Sequence, residues 1–141
     1  GQPVQHLDFA SQMQTYGVAQ GHLAYYRALE QTGHVRIITN TDDLQDHLTA
    51  LDNEDPTLGF IISMESADAI LDPEQLGDWY DVGVRLIGPA HYGMGRYAGG
   101  TGVEDGFTDI GFELLKQMET LNMVLDMTHL SDKAFWQAIK I

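Results

Sequence analysis

Glu65, His91 and His129 are the residues whose types and placement invite chemistry. Each is expected at or just past the C-terminal end of a strand, the end of a parallel α/β sheet where sites are built. Glu and His are hard-to-borderline donors that suit zinc, and His also serves as an acid or as a donor to a developing oxyanion. One polar strand end means little, because the chain leaves the core there anyway. Three in succession point to a shared site. Asp126, three residues before His129, reads as a carboxylate partner for that imidazole or as a structural carboxylate. Arg96 reads as a bidentate clamp for a carboxylate or as an ordinary exposed loop residue. His22, His34 and His47 fall on or beside expected helices and read as surface or packing residues.

The elements that must position these side chains alternate along the chain. Apolar positions Met13, Tyr16, Leu23, Tyr26 and Leu29 predict a helix from about Phe9 to Gln31, weakened by Gly17 and Gly21 and ended by Gly33. Val35 to Thr39 is rich in β-branched residues and predicts a strand. Thr41 is the expected cap of a short helix through Leu44, Leu48 and Leu51. The acidic turn Asp52–Pro56 lacks the glycine and ligand spacing of a calcium loop. Leu58 to Met64, nearly all apolar, predicts a strand buried on both faces and ending on Glu65. Asp72 before Pro73 predicts a helix to about Val82, and Val84 to Ile87 a third strand leading to His91. Thr108 caps an amphipathic helix striped by Ile110, Leu114, Leu115, Met118 and Leu121. Met123 to Met127 predicts the fourth strand, and Ser131 caps the last helix.

Between His91 and Thr108 runs a glycine-rich loop. Gly93-Met94-Gly95-Arg96-Tyr97-Ala98 formally matches a dinucleotide fingerprint, but that motif must open a helix directly, and here Gly99, Gly100, Thr101 and Gly102 follow. A flexible active-site loop is the better reading, with a purely structural long loop as the alternative. The whole order is a helix followed by four β/α units, which means parallel strands and right-handed crossovers. A closed eight-unit barrel needs about 250 residues, so four units make either a small open sheet or part of a (β/α)₈ TIM barrel.

Composition narrows the functions. Seven Lys+Arg against 21 Asp+Glu leave a formal charge of −14 over 141 residues, which argues against nucleic acid or an anionic membrane as partner. With no Cys, disulfides, thiolate zinc sites and thiol catalysis are excluded. No apolar run is long enough to span a bilayer. The first residue, Gly1, suggests a processed or excised piece. No targeting segment is visible in it, so the localisation stays open with the cytoplasm as default.

Three runs of residues carry a resemblance. They are Ile62-Ser63-Met64-Glu65-Ser66-Ala67-Asp68; Gly83-Val84-Arg85-Leu86-Ile87-Gly88-Pro89-Ala90-His91; and Val124-Leu125-Asp126-Met127-Thr128-His129-Leu130-Ser131-Asp132. Together with Leu76 to Tyr80, Arg96-Tyr97-Ala98 and Phe107 to Gly111, they resemble the renal (membrane) dipeptidase family of zinc peptidases, from about Leu58 to Ile141. The resemblance implies a single partial barrel domain over residues 1–141, from a protein that hydrolyses dipeptides with two zinc ions in its complete site. It implies that Glu65 bridges both metals, that His129 ligates the second, and that His91 contacts substrate and the tetrahedral intermediate. The family's Glu-Gly is Glu65-Ser66 here, and the Asn that often follows the third-strand His is replaced by Tyr92-Gly93-Met94-Gly95. His6-Leu7-Asp8 has the form of the family's first-strand ligand pair, but no apolar strand precedes it and it lies too close to Glu65, so the match is read as coincidental. The remaining ligands are expected outside these residues. About half the site would then be present, and the piece alone inactive and prone to self-association or to pairing with the rest of its parent. The alternatives are a non-catalytic α/β binding module, or a metal-dependent amidohydrolase acting on a non-peptide amide.

Overall fold

Parallel strands backed by helices make up the chain, as expected, in a computed structural model that describes residues 11–141. His6-Leu7-Asp8 lies outside the described residues. Helix α1 spans Gln12–Gln31, begun by Ser11, whose extended backbone lets its hydroxyl accept from the Gln14 amide. It ends where Gly33 takes a φ of +75°, and strand β1, Val35–Ile37, follows. Helix α2 spans Thr41–Asp52, but its cap is Asn40 rather than Thr41. The Asn40 side chain accepts from the Asp43 amide at 2.9 Å, while the Asp43 carboxylate takes the Thr39 amide and hydroxyl at 2.9 and 2.7 Å. This reciprocal arrangement satisfies the free ends of the first turn better than a lone threonine at position 41 would.

The single strand expected over Leu58 to Met64 is two. Strand β2, Leu58–Phe60, pairs in parallel with β1, and β3, Ile62–Glu65, pairs in parallel with β4, Val84–Gly88. The two halves pair with different neighbours and separate at Ile61, and the β3–β4 register shifts between Ile62 and Ser63. A local irregularity of this kind bends a strand and re-aims its side chains. Between β3 and β4 the expected helix is a 3₁₀ turn, Pro73–Gln75, running into α3, Leu76–Asp81, with Asp72 capping the Glu74 amide. Helix α4 spans Asp109–Thr120 under its Thr108 cap. The fourth strand shortens to β5, Val124–Leu125, because after one more ladder bond, Asp126 N–H to the Ile87 carbonyl, the Asp126 side chain turns the chain by accepting from Thr128. Helix α5, Asp132–Ala138, follows its Ser131 cap.

Register decides what is buried. Met64, Ile87 and Leu125 share one row of the β3–β4–β5 sheet and face the helices, where Leu76, Trp79, Leu114 and Met118 close the core. The neighbouring row, Ser63, Leu86 and Val124, points the other way. Here Ser63 and Val124 are exposed, so β3 is not covered on both faces as its apolar run suggested. Behind β1 and β2, His47 is buried with its ring against Gly59, and Arg36 bridges from it to the Asp55 carboxylate. His22 and His34 are exposed.

Two helical glycines separate packing from propensity. Gly21, mid-α1, has open space where a Cβ would sit, whereas a Cβ on Gly111 would press on the backbone carbonyl of Tyr97. Gly21→Ala should therefore stabilise by about 1 kcal/mol, and Gly111→Ala should destabilise by about 1–3 kcal/mol, read as urea midpoints; a stabilising Gly111→Ala would contradict the packing described. A second prediction concerns acid. The hydrogen bond from Arg36, with a smaller contribution from Thr57, holds the Asp55 carboxyl well below the usual carboxylate range. A depressed folded pKa contributes stability above the unfolded value of about 3.9, and that contribution is lost as pH falls. Asp55→Asn should flatten the acid limb of the stability–pH curve relative to wild type, and identical limbs would contradict it.

Candidate metal centre

Each of the three sequence-singled residues leaves its strand at the same edge. Glu65 is the last residue of β3, His91 follows β4, and His129 follows β5. Their side chains converge. Glu65 Oε1 lies 3.3 Å from His129 Nε2 and 3.7 Å from His91 Nε2. One donor atom from each of the three falls within 4.8 Å of the others. The two imidazoles stand nearly perpendicular, 87° between planes and 4.5 Å between centres, and the exposed Tyr92 ring rests against both.

Local backbone conformations aim these groups. Ser66, immediately after Glu65, has a φ of +65°, and His129 has a φ of +67°. Neither is glycine, and the left-handed region costs such residues on the order of 1–2 kcal/mol, so the surroundings must hold them there. Ser66 donates to the Asp68 carboxylate at 3.0 Å, whose other oxygen accepts the Arg96 amide at 3.0 Å. Asp68 thereby ties the turn after Glu65 to the glycine-rich loop.

That loop is hydrogen-bonded into a folded element. The Thr101 amide donates to the His91 carbonyl at 2.8 Å, the Gly93 amide to Thr101 at 2.9 Å, and the Gly100 amide to Gly93 at 2.8 Å. Gly100 passes so close to the His91 carbonyl that any Cβ would collide with it. Tyr97 is wholly buried and donates its phenol to the Ile70 carbonyl at 2.6 Å; burial raises its pKa. The Ser131 hydroxyl and amide reach back to the carbonyls of Asp105 and Gly99, which pins the cap of α5 to the same loop.

Two open alternatives resolve toward the structural reading. Arg96 donates to the Leu71 carbonyl at 3.2 Å and so braces the loop. Asp126 spends its carboxylate on Thr128, whose hydrogen bonds hold its pKa below the usual range, and so it shapes the turn before His129 rather than orienting the ring. The ring partner is Thr101, whose hydroxyl lies 3.1 Å from His129 Nδ1. Sequence reasoning missed it: Thr101 is 28 residues from His129, inside a glycine run with no periodicity to place it. The glycines themselves were the signal, since they mark where backbones must approach closely.

A carboxylate with two imidazoles is a donor set that fits a divalent cation such as zinc. All three residues are at least partly open to solvent, so an ion could enter. A surface cavity of about 510 Å³ opens on the other side of Thr101, lined by Thr101, Glu104, Leu130, Ser131, Asp132 and Lys133 among others and by none of the three converging residues. No described helix is long and apolar enough to cross a membrane.

Comparison with known proteins places this arrangement. An uncharacterized protein in the PQQ-III 3′ region of Acinetobacter calcoaceticus is 28% identical over 125 residues, covering 82% of this chain and 38% of that protein. An amidohydrolase from Pseudomonas aeruginosa superposes with a TM-score of 0.77 at 16% identity, over 88% of this chain and 38% of its own. A metallo peptidase from Rhodobacter sphaeroides, liganded with a phosphinate mimic of the dipeptide L-Ala-D-Ala, gives 0.70 at 24% identity, over 92% and 39%. The chain thus spans about 40% of the length of the relatives it matches. The family model for membrane dipeptidases, peptidase family M19, matches residues 9–141, well beyond the stretch in which the sequence showed its resemblance, and the chain belongs to that family.

Proposed function

We propose that these residues form part of a zinc-dependent dipeptidase, a (β/α)₈ barrel completed by sequence outside this chain. The observation that carries this reading is the placement of one carboxylate oxygen within 3.3 and 3.7 Å of two imidazole nitrogens at the C-terminal edge of a parallel sheet. Glu65 and His129 are the residues that would hold the metal, with Glu65 able to offer one oxygen to each of two ions, and His91 would be the substrate-contacting imidazole. When bound, the zinc pair supplies a water made nucleophilic near neutral pH and polarises the scissile carbonyl.

The chain's own residues do the rest. Glu65 offers two oxygens, and the Ser66–Asp68 hydrogen bond braces the turn that follows it. His129 presents Nε2 toward the same point. His91 Nε2 faces Glu65 from the adjacent strand end, where a donor stabilises the carbonyl oxygen of a dipeptide as it gains charge. Tyr92 forms a wall against both imidazoles in place of the Asn common in the family, so substrate preference can differ there, and hydrolysis of a non-peptide amide at the same centre is the second reading. The apolar residues left exposed along the sheet, Leu58, Ile61 and Val124, would be covered by the missing units or by another copy. The 141 residues alone would be inactive, because the remaining ligands lie elsewhere.

Glu65→Gln in the full-length protein should reduce dipeptide hydrolysis by at least about 10²–10³, since an amide cannot supply the bridging charge. Activity within a few-fold of wild type would contradict the assignment. Assaying wild type against dipeptides and N-acyl amides in parallel separates the two readings: turnover of the amides alone would favour the second.

A further inference from the structure

We infer that Thr101 is a positioning residue that selects the metal-binding tautomer of His129. This rests on the metal reading above and deepens it. The hydroxyl of Thr101 stands between two groups of the same histidine, 3.1 Å from Nδ1 and 3.4 Å from the backbone carbonyl oxygen. A threonine hydroxyl has one proton to give and lone pairs to accept with. A carbonyl oxygen can only accept, so the hydroxyl satisfies both contacts at once only by giving its proton to the His129 carbonyl. Toward Nδ1 the hydroxyl oxygen is then an acceptor, which requires the ring proton to sit on Nδ1. The neutral ring is left with its lone pair on Nε2, the nitrogen 3.3 Å from Glu65 Oε1. A lone pair facing a carboxylate oxygen at that separation repels it, and a cation between them turns the repulsion into shared ligation.

The placement of Thr101 is itself built. Its amide donates to the His91 carbonyl at 2.8 Å and its own carbonyl accepts from Gly93 at 2.9 Å. One residue therefore joins the backbone of His91 to the ring of His129, across two different strand ends. The left-handed backbone of His129 turns its carbonyl and its ring toward the same hydroxyl. Metal-ligating imidazoles are commonly oriented through their other nitrogen by a carboxylate, carbonyl or water. Here Asp126, three residues before His129, is engaged with Thr128, and a hydroxyl from the glycine-rich loop fills that place.

The test compares Thr101→Val, which keeps the shape and removes the hydroxyl, with Thr101→Ser, which keeps the hydroxyl. Both are made in the full-length protein, stripped of metal and titrated with zinc against a chromophoric chelator. Thr101→Ser should bind within about 3-fold of wild type, and Thr101→Val should bind about 10–100-fold more weakly, the loss typical of removing such a partner, with an unchanged unfolding midpoint in the metal-free form. ¹⁵N imidazole spectra of the metal-free wild type should show His129 protonated on Nδ1, which tests the inference even if the valine variant fails to fold. Equal zinc affinity in the two variants, or a wild-type His129 protonated on Nε2, would overturn it. A wild type that keeps the Nδ1–H tautomer yet takes up no zinc would overturn instead the metal reading beneath it.

Discussion

Parallel register is the constraint on which the rest depends. Because β3, β4 and β5 run the same way and end level, the residues that follow them emerge at one edge, whatever the chain does between. Glu65, His91 and His129 are far apart in sequence but need only short excursions from their strand ends to meet. The helices on the other face make this edge firm: Ile62, Val84 and Ile87 are locked beneath Leu76, Trp79, Leu114 and Met118, so the strand ends do not drift independently. Burial on one face thus specifies geometry on an open one.

Strand ends alone deliver side chains only approximately. The finer aim comes from polar contacts that cross between β/α units. Asp68 joins the turn after Glu65 to the glycine-rich loop, Thr101 joins that loop to His91 and His129, and Ser131 joins it to the start of α5. The loop is the common member of all three links. Gly99 and Gly100 permit backbones to touch where any Cβ would collide, and Tyr97 is sunk into the core as an anchor. The conformations at Ser66 and His129, unfavourable in isolation, persist because these links over-determine them.

Much of this was legible in the residues. Helical periodicity located α1 and α4, the β-branched run located β1, and the polar residues at strand ends located the centre before any contact was known. What escaped depended on long-range pairing. Nothing in Leu58 to Met64 reveals that its two halves serve different neighbours, because each is apolar and β-prone by itself. The cap of α2 moved by one residue because Asp43 can answer Asn40 and Thr39 together. Thr101 was hidden because a single hydroxyl in a glycine run has no local pattern, and its role exists only when β5 brings His129 to it.

The central claim is that Glu65, His91 and His129 meet around a metal. Crystals of the full-length protein grown with zinc, measured on either side of the zinc absorption edge, test it most directly. An anomalous peak is expected within about 2.0–2.2 Å of both a Glu65 carboxylate oxygen and His129 Nε2, with His91 close by but turned toward the space a substrate would fill. An edge-specific map with no peak at Glu65, or with zinc bound only at unrelated surface residues, would contradict it.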